Sequence, residues 1–310
     1  MKVLRFATYG GPEVLHVSEQ PMPEPGPGEV LVRVHAATVG WGDCKLRAGL
    51  LQNFYGVTLP KIPGRYGSGT IAAIGSDVKD RHPGKAVIFA PPHTQNGSAA
   101  EYVAVASENV AGKPENLDHV QVASIIQGAT SAYACLIEAG QLTPGQQILI
   151  HGAVGSVGSA CTELARHMGA VVSATCREVD RDYVRSLGAD HLIAFDKMDF
   201  SETVRDQDIV VDLVGGEVHR RSYRVIKPGG RLVYLHAAPI DAAAQSSAVL
   251  AVNAIVKSTG ALLGAVRRLI AQNVFSPKVG KVLPLEEGAL AHTLLEARAI
   301  KRGRIVLAVS

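Results

Sequence analysis

The residues best suited to chemistry are three evenly spaced glycines in the segment HGAVGSVG, residues 151–158. Gly152, Gly155 and Gly158 lie between an apolar run typical of a strand, QILI, and a run typical of a helix, SACTELARHMG. Glycines at these places allow a tight exit from the strand, leave bare backbone for a diphosphate group and let the helix pack closely on the sheet. The first turn of the helix adds unpaired N–H groups and the positive end of its dipole. The spacing G-x-x-G-x-x-G therefore predicts a dinucleotide site, and the alternative is a glycine-rich turn that binds nothing.

The tip of the next strand, AVVSATC, indicates which dinucleotide binds. An acidic residue there would bond the ribose 2′-hydroxyl and repel a 2′-phosphate. The sequence instead has Thr175, Cys176 and Arg177, with Arg181 a few residues further on. Because an arginine can bind a phosphate through two N–H groups, we expect NADPH as the cofactor. Glu178 follows directly, so the alternative is that both arginines are solvated charges at the start of a helix.

These residues need a parallel sheet to position them, and the second part of the chain predicts one. From about residue 120, the strand-like runs QILI, AVVSATC, HLIAF, DIVVDLVGG and RLVYLH alternate with helix-like runs such as SACTELARHMG and DRDYVRSLG. Strands and helices in alternation require right-handed crossovers between parallel strands, which gives a doubly wound α/β sheet. The residues KPGG before RLVYLH are typical of a turn.

About the first 120 residues predict a different, β-rich domain. The short runs EVLVRV, GSGTIAAIGS, HPGKAVIFA and AAEYVAVAS are bounded by glycine or proline, which favours a barrel. The tail of the chain carries an amphipathic helix, ALLGAVRRLIAQ, and a closing strand, GRIVLAV. That strand has no alternating partner nearby, so we expect it to return to the first domain.

Composition and charge exclude several classes of protein. The 310 residues carry 31 basic against 28 acidic side chains, a balance too even for a dedicated nucleic-acid binder. No apolar run reaches the ~20 residues of a membrane span, and MKVLRFATYG lacks the features of a secretory signal, so we expect a cytoplasmic protein without a membrane partner. The scattered cysteines predict buried apolar groups rather than disulfides or a zinc site: Cys44, Cys135, Cys161 and Cys176.

With these segments in place, the chain resembles the medium-chain dehydrogenase/reductase superfamily, in its zinc-free quinone oxidoreductase (zeta-crystallin-like) branch. The resemblance runs nearly end to end and includes GGPEVLHVSEQPMPEPGPGEVLVRVHAA, GATSAY, TPGQQILIHGAVGSVGSACTELARHMGA, RSLGADHLIAF and LPLEEGALAHTLLEARAIKRGRIVL. It implies a GroES-like β-barrel domain over residues 1–119 and 259–310, a Rossmann domain over residues 120–258, and an active site in the cleft. It also implies a homodimer formed through the edge of the Rossmann sheet, near residues 251–256.

The residues that hold zinc in other members of the superfamily are replaced. Zinc-dependent relatives carry a catalytic cysteine in the segment matching residues 37–43 and a His-Glu pair after the sequence IPG, where this chain has Gly40, Arg65 and Tyr66. Glycine and arginine cannot replace a thiolate and an imidazole as zinc ligands. We therefore expect no metal, and no metal-polarised alcohol dehydrogenase mechanism.

Two positions also depart from the quinone oxidoreductase pattern. That branch has an asparagine near the nicotinamide in an N-x-x-D motif, and Gly40 takes its place here, leaving only Asp43. The branch often has a tyrosine on the third Rossmann strand that helps to hold the 2′-phosphate, and the matching Phe195 has no hydroxyl group. Substrate and cofactor preference could therefore differ from those of the family.

Hydride transfer to a quinone or an enone requires mainly orientation and exclusion of water, because the nicotinamide supplies the hydride. Thr130, in GATSAY, matches the family's threonine beside the nicotinamide, and the alternative is a helix-packing role. Tyr66 is the candidate proton donor to the α-carbon of an enone, and Arg65 is a candidate for stabilising an oxyanion. Tyr55 and Trp41 could line an apolar substrate pocket, and Asp43 could serve only to fix a turn.

The sequence therefore predicts an NADPH-dependent, zinc-independent oxidoreductase that reduces quinones or α,β-unsaturated carbonyl compounds. The expected cofactor-binding residues are Gly152, Ala153, Val154, Gly155, Ser156, Val157, Gly158, Thr175, Cys176, Arg177, Arg181, Val214, Gly215 and His236. One alternative is a structural or regulatory nucleotide-binding protein with little turnover, which the missing asparagine favours. Another is a methyltransferase, against which the barrel domain and the returning C-terminal strand argue.

Overall fold

The computed structural model describes residues 1–235, 248–257 and 259–309, with every side chain in these ranges except those of residues 53 and 54. The strands are β1 (Lys2–Arg5), β2 (His16–Glu19), β3 (Glu29–Thr38), β4 (Gly67–Ile74), β5 (Ala86–Phe89), β6 (Tyr102–Ala106), β7 (Val110–Gly112), β8 (Gln147–His151), β9 (Val171–Cys176), β10 (His191–Ala194), β11 (Gln207–Asp212), β12 (Ile226–Tyr234), β13 (Leu250–Asn253), β14 (Val279–Pro284) and β15 (Arg304–Ala308). The α-helices are α1 (Trp41–Arg47), α2 (Gln52–Tyr55), α3 (His119–Tyr133), α4 (Ser156–His167), α5 (Arg181–Ser186), α6 (Phe200–Thr203), α7 (Glu217–Ser222), α8 (Gly260–Ala271) and α9 (Gly288–Glu296).

The chain divides into two compact units. The first unit combines Met1–Gln127 with Lys257–Ser310, and the second is Gly128–Val256. The boundary that the resemblance implies, between residues 119 and 120, lies at the first turn of α3. The first half of α3 belongs to the first unit because Ala123 packs in a small buried cluster with residues of β3 and β15.

The first unit is built on a seven-stranded sheet with β3 at its centre. The strand order is β14-β15-β3-β4-β5-β7, and β6 also pairs with β3. The pairings within this sheet are antiparallel except that of β14 with β15. β3 buries Val30, Val32 and Val34 in the core of the unit. The pairing of β15 with β3 confirms that the closing strand returns to the first domain.

The second unit contains a six-stranded parallel sheet in the order β10-β9-β8-β11-β12-β13. Numbered within the unit, this order is 3-2-1-4-5-6, the order of doubly wound dinucleotide-binding sheets. The predicted α/β fold class, a Rossmann sheet together with a GroES-like β-barrel domain, is confirmed. The direction of the strand order reverses between β8 and β11, and ligands of open α/β sheets bind at the carboxyl ends of such strands. The glycine loop follows β8 and therefore lies at this switch point.

Two segments differ from the sequence-based expectation. The residues KPGG do not form a turn between elements but a bulge inside β12, where Gly229 has a φ of 82° and the pairing with β11 jumps from Ile226 to Arg231. The 21-residue helix His119–Ala139, which continues α3 by a π-helical turn, is long and apolar enough to cross a membrane, although no continuous apolar run predicts it. In the most apolar 18-residue stretch of this helix, 72% is buried inside the protein, as is typical of a core helix.

Candidate functional site

At each of the three loop positions, the geometry gives a different reason why the residue is glycine. Gly152 has a φ of 77°, a left-handed conformation that side chains disfavour. A Cβ on Gly158 would lie 2.7 Å from the carbonyl carbon of Gly152 and 2.8 Å from Cα of Ala153, so only glycine fits where α4 packs against the loop. A Cβ on Gly155 would meet only the Gly152 carbonyl oxygen, at 3.4 Å. The space in front of Gly155 is therefore left open by the protein itself.

This open space lies at the N-terminus of a twelve-residue helix, α4. Its N-cap is Gly155, which has no side chain to accept hydrogen bonds from the first N–H groups of the helix. Unpaired N–H groups and the positive end of the dipole favour an anion at this point. The loop residues 152–158 thus have the properties that a diphosphate site requires, and the dinucleotide fits the residues present.

The tip of β9 carries no acidic side chain. Arg177 is exposed there, whereas Thr175 and Cys176 are only 4% and 1% exposed, so their side chains are withdrawn from the surface. Arg181 pairs with Glu178 across 3.5 Å, a surface ion pair of little stabilising value. Arg177 is therefore the arginine best placed to bind a 2′-phosphate.

Phe195 lies beside the same strand end. Its N–H donates to the carbonyl oxygen of Cys176 over 3.0 Å, and its ring is 55% exposed. An exposed aromatic ring beside Arg177 offers an apolar surface where the family has a phenol. The contribution of Phe195 to cofactor preference stays a prediction.

The loop after β11 forms the neighbouring wall of the glycine loop. Val214 is 46% exposed, and its Cγ2 lies 3.5 Å from where a Cβ on Gly152 would stand. Asp212 holds this loop because its Oδ1 accepts from the N–H groups of Val214 and Gly215, each over 2.9 Å. Its Oδ2 lies 2.8 Å from Nδ1 of the buried His219. No sequence pattern predicted this pair, although an aspartate shortly before two glycines at a strand end was a usable signal.

A second buried network joins the ends of β8 and β9 to α7. Thr175 Oγ1 lies 3.2 Å from His151 Nδ1, and Ser222 Oγ lies 3.2 Å from His151 Nε2. Because the Ser222 hydroxyl already donates to the Val218 carbonyl oxygen, the imidazole must donate from Nε2 and accept from Thr175. Burial lowers the pKa of His151 to about 4, so the ring is neutral at pH 7. His151 thus supports the strand ends on which the loop rests.

The second half of α3 crosses the start of α4 closely. A Cβ on Gly128 would lie 2.6 Å from the Ser156 carbonyl oxygen, so the glycine of GATSAY is needed for this contact. Thr130 follows two residues later and is fully buried. Its predicted role beside the nicotinamide stays a prediction. His236 lies outside the described residues.

In the first unit, Tyr66 is 3% exposed and follows directly on Arg65. Arg65 donates from Nη1 to the Pro91 carbonyl oxygen over 2.6 Å, and its guanidinium carbon lies 5.9 Å from the centre of the Tyr66 ring. These contacts hold the cation against the phenol. The proposed roles of Tyr66 as proton donor and Arg65 as oxyanion stabiliser stay predictions.

Asp43 fixes the turn in which it stands. Its Oδ2 accepts from the Gly40 N–H over 2.9 Å and its Oδ1 from the Gly64 N–H over 3.1 Å, so one carboxyl group joins the start of α1 to the segment before Arg65. Burial raises the pKa of this carboxyl, while the two N–H groups oppose the shift. The sequence-based suggestion that Asp43 fixes a turn is confirmed.

The place of the family's asparagine is filled from elsewhere in the first unit. A Cβ on Gly40 would lie 2.6 Å from Gln127 Oε1 and 3.2 Å from Arg304 Nη1. Arg304 Nη1 donates to Gln127 Oε1 over 2.6 Å and to the Val39 carbonyl oxygen over 3.2 Å. Because a guanidinium only donates, this bond turns the Gln127 oxygen toward Arg304 and sets the orientation of its NH₂ group. The residue beside Gly40 is therefore still a carboxamide.

Tyr55 and His93 stack with their ring centres 4.1 Å apart. Burial and the neighbouring Arg65 and Lys61 lower the pKa of His93 to about 3. Trp41, at the start of α1, is 45% exposed. In the part of the chain that the structure describes, no three His, Cys, Asp or Glu side chains are grouped so that they could hold a metal ion.

A Rossmann sheet with a glycine loop at its switch point, together with a GroES-like barrel unit, defines the class of this protein. Residues 26–144 match the alcohol dehydrogenase GroES-like domain family, and residues 187–307 match the zinc-binding dehydrogenase family. The chain belongs to the medium-chain dehydrogenase/reductase superfamily, which confirms the resemblance.

Known proteins show the same architecture. The chain is 33% identical over 244 residues to the chloroplastic NADPH-dependent alkenal/one oxidoreductase of Arabidopsis thaliana, covering 76% of this chain and 62% of that protein. A crystal structure of an NAD-dependent alcohol dehydrogenase matches with a TM-score of 0.90 and 28% identity, over 100% of both chains. The quinone oxidoreductase of Coxiella burnetii matches with a TM-score of 0.89 and 28% identity, over 100% of this chain and 99% of that one. The chain spans about six tenths of the length of the curated relatives it matches.

Proposed function

We propose that the chain is an NADPH-dependent oxidoreductase that transfers a hydride to a quinone or to the C=C bond of an α,β-unsaturated carbonyl compound, without a metal. The observation that carries the proposal is the open space at Gly155, at the N-terminus of α4 and at the switch point of the sheet. The names of an alkenal/one oxidoreductase and a quinone oxidoreductase among similar proteins support this reaction class.

The second unit would hold the dinucleotide through groups already in place. The N–H groups at the start of α4 would bind the diphosphate in front of Gly155, and Arg177 would bind the 2′-phosphate. Asp212 accepts from the N–H groups of Val214 and Gly215 and so holds the loop that lies beside Gly152. When bound, the dinucleotide supplies the hydride.

The first unit would contribute polar groups for the substrate. The carboxamide of Gln127, oriented by Arg304, offers N–H donors in the place where the family has an asparagine. Such donors would stabilise negative charge that develops on a carbonyl oxygen. Tyr66 would donate a proton to the α-carbon of an enone, and Arg65, whose guanidinium carbon lies 5.9 Å from the centre of the Tyr66 ring, would stabilise an oxyanion.

Independence from zinc rests on the residues themselves. The position of the catalytic cysteine is Gly40, and the space beside it holds the guanidinium of Arg304. A fixed cation there repels a second cation, and the positions of the His-Glu pair hold Arg65 and Tyr66. The likeness to an alcohol dehydrogenase structure is therefore a likeness of fold, and we propose that this chain catalyses a different reaction.

The reaction class is tested with a substrate panel. We expect rapid NADPH oxidation with a naphthoquinone or a 2-alkenal, slower oxidation of NADH, and rates that treatment with EDTA leaves unchanged. Reduction of NADP⁺ by primary alcohols, lost on treatment with EDTA and restored by zinc, would overturn the proposal. Binding of NADPH without turnover across the panel would instead favour a nucleotide-binding protein of another role.

We also propose that the protein is a homodimer that forms through β13. Among the described residues this strand pairs only with β12, and Ile255 just beyond it is 62% exposed. An unpaired strand edge with exposed apolar residues favours pairing with a second copy. Light scattering coupled to gel filtration should give twice the chain mass, and a monomer at micromolar concentration would refute this. Cytoplasmic location stays a prediction.

A further inference from the structure

A cavity of about 1110 Å³ lies wholly within the first unit, with no residue of the glycine loop in its lining. It is bordered by β5, β7 and α8. Its lining has three carboxylates and five cationic side chains, which are Arg81, Lys85, Lys113, Arg267 and Arg268. The cavity is therefore positively charged, and neither the proposed hydride transfer nor the dinucleotide loop uses it.

Two of these arginines flank the same short strand. Arg81 donates from Nη2 to the Val110 carbonyl oxygen over 3.2 Å. Arg267 lies at the other end of β7, where its Nε is 3.4 Å from the position of a Cβ on Gly112. Two residues of a strand span about 7 Å, so the two points of contact lie about that far apart along β7.

Both arginines have an unsatisfied donor. The Nε atoms of Arg81 and Arg267 are withdrawn from water and have no hydrogen-bonding partner in the described parts of the chain. The Asp80 carboxylate neutralises Arg81 from outside, over 2.5 Å, without reaching its Nε. Because a shielded, unpaired donor costs free energy, each side chain would be stabilised by turning so that an anion accepts from Nε and Nη together.

Lys113 donates to the carbonyl oxygens of Pro114 and Leu117, whereas three of the other cations are available. Arg267, Arg268 and Lys85 make no side-chain hydrogen bond or ion pair with any other residue that the structure describes. The N-terminus of the twelve-residue helix α8, Thr259–Ala261, lines the same cavity and adds the positive end of its dipole. Charge, unpaired donors and a helix dipole thus converge on one volume.

The size of the cavity indicates what carries the anion. Its volume is far larger than a bare phosphate ion needs, and the alkyl parts of its lysine and arginine side chains add apolar atoms to the lining. We propose that the cavity binds a small phosphomonoester, with its phosphate group between Arg81 and Arg267 and its organic part in the remaining volume. This proposal does not depend on the oxidoreductase function.

The proposal is tested by calorimetric titration of the NADPH-saturated protein with 1-naphthyl phosphate, which combines a phosphomonoester with an apolar body. We expect one saturable site, much weaker binding of inorganic phosphate, and binding that falls with added salt. Arg267→Ala and Arg81→Ala should each raise Kd about tenfold or more, because each removes a charged, two-donor contact. Arg33→Ala, an exposed arginine of the same unit outside the cavity, is the matched control and should leave Kd unchanged.

Melting temperature and NADPH affinity of each variant report whether it is folded. Arg267→Lys provides a second measurement if the alanine variant is unstable. Lysine keeps the positive charge but lacks the two parallel N–H donors of the guanidinium group, so the Kd of this variant should fall between those of wild type and Arg267→Ala. 1-Naphthol alone should bind equally to wild type and to the variants. An equal Kd for 1-naphthyl phosphate in the wild type and in the folded variants, or the absence of saturable binding, would overturn the proposal.

Discussion

Gly155→Ala and Gly158→Ala separate ligand binding from folding within one loop. Gly155 has φ −68° and ψ 163°, which alanine adopts without strain, and the new Cβ meets one oxygen at 3.4 Å. Since alanine is a poorer N-cap than glycine, we expect a loss of stability of about 1 kcal/mol or less. The Cβ nevertheless enters the space in front of the first N–H groups of α4.

The effect on binding follows from the bonds that the methyl group blocks. A hydrogen bond to a charged phosphate contributes about 1.5–3 kcal/mol, and 1.4 kcal/mol is a factor of ten. Loss of one such bond predicts that Gly155→Ala raises the Kd for NADPH by about 10- to 100-fold. Gly158→Ala should act differently, because its Cβ meets backbone at 2.7 and 2.8 Å and must displace α4. We expect a loss of about 3 kcal/mol or more in stability.

Thermal unfolding and NADPH titration of both variants check this reasoning. Gly42→Ala is the control, since a Cβ on Gly42 meets no atom within 4 Å. This variant should neither lower the melting temperature nor raise the Kd for NADPH. A Gly155→Ala protein that melts like wild type and still binds NADPH with wild-type affinity would refute the assignment of the loop.

Three further predictions concern single residues. Gln127→Ala should lower kcat/KM about tenfold by removing the amide donor, and Gly40→Asn alone should disturb the fold because its Cβ would lie 2.6 Å from Gln127. The double variant should be more active than either single variant in steady-state assays, and strictly additive losses would contradict the exchange of carboxamides. Arg177→Glu should weaken NADPH binding at least about tenfold relative to NADH, as measured by the ratio of the two Kd values, and an unchanged ratio would remove Arg177 from the phosphate site. Because burial lowers the pKa of His151 to about 4 from its ordinary 6.5, its contribution to stability is complete above pH 6.5 and is lost as the pH falls toward 4. Urea unfolding at pH 5 and pH 7.5 should show a drop of about 2 kcal/mol from this group, which His151→Gln should reduce; equal drops in both proteins would contradict it.

The sequence predicted most of the fold because its signals were local. Alternating runs after residue 120 correspond to β8–β12, and the glycine spacing located the turn between β8 and α4. The bulge at residues 227–230 was missed because proline and two glycines are equally typical of a turn and of an irregular strand. Only the pairing partner β11, twenty residues upstream, distinguishes them.

The contacts that complete the candidate site were beyond local patterns. Gln127 and Arg304 are 177 residues apart in the chain, and neither is unusual in its own segment. From the sequence, the absence of an asparagine at position 40 therefore indicated that a carboxamide group was lost. The structure shows that the carboxamide of Gln127 fills its space. Asp212 and His219 are closer in sequence, but their pairing depends on the short helix α7, whose start after Gly216 no periodicity predicted.

Transfer of deuterium from labelled cofactor tests the central claim most directly. NADPH carrying deuterium on either face of C4 of the nicotinamide should be incubated with the purified protein and a 2-alkenal, and the product examined by mass spectrometry. We predict that one of the two labelled cofactors, and not the other, adds one deuterium at the β-carbon of the product. A reduced product without deuterium from both cofactors, or no reduced product with any quinone or enone, would contradict the account.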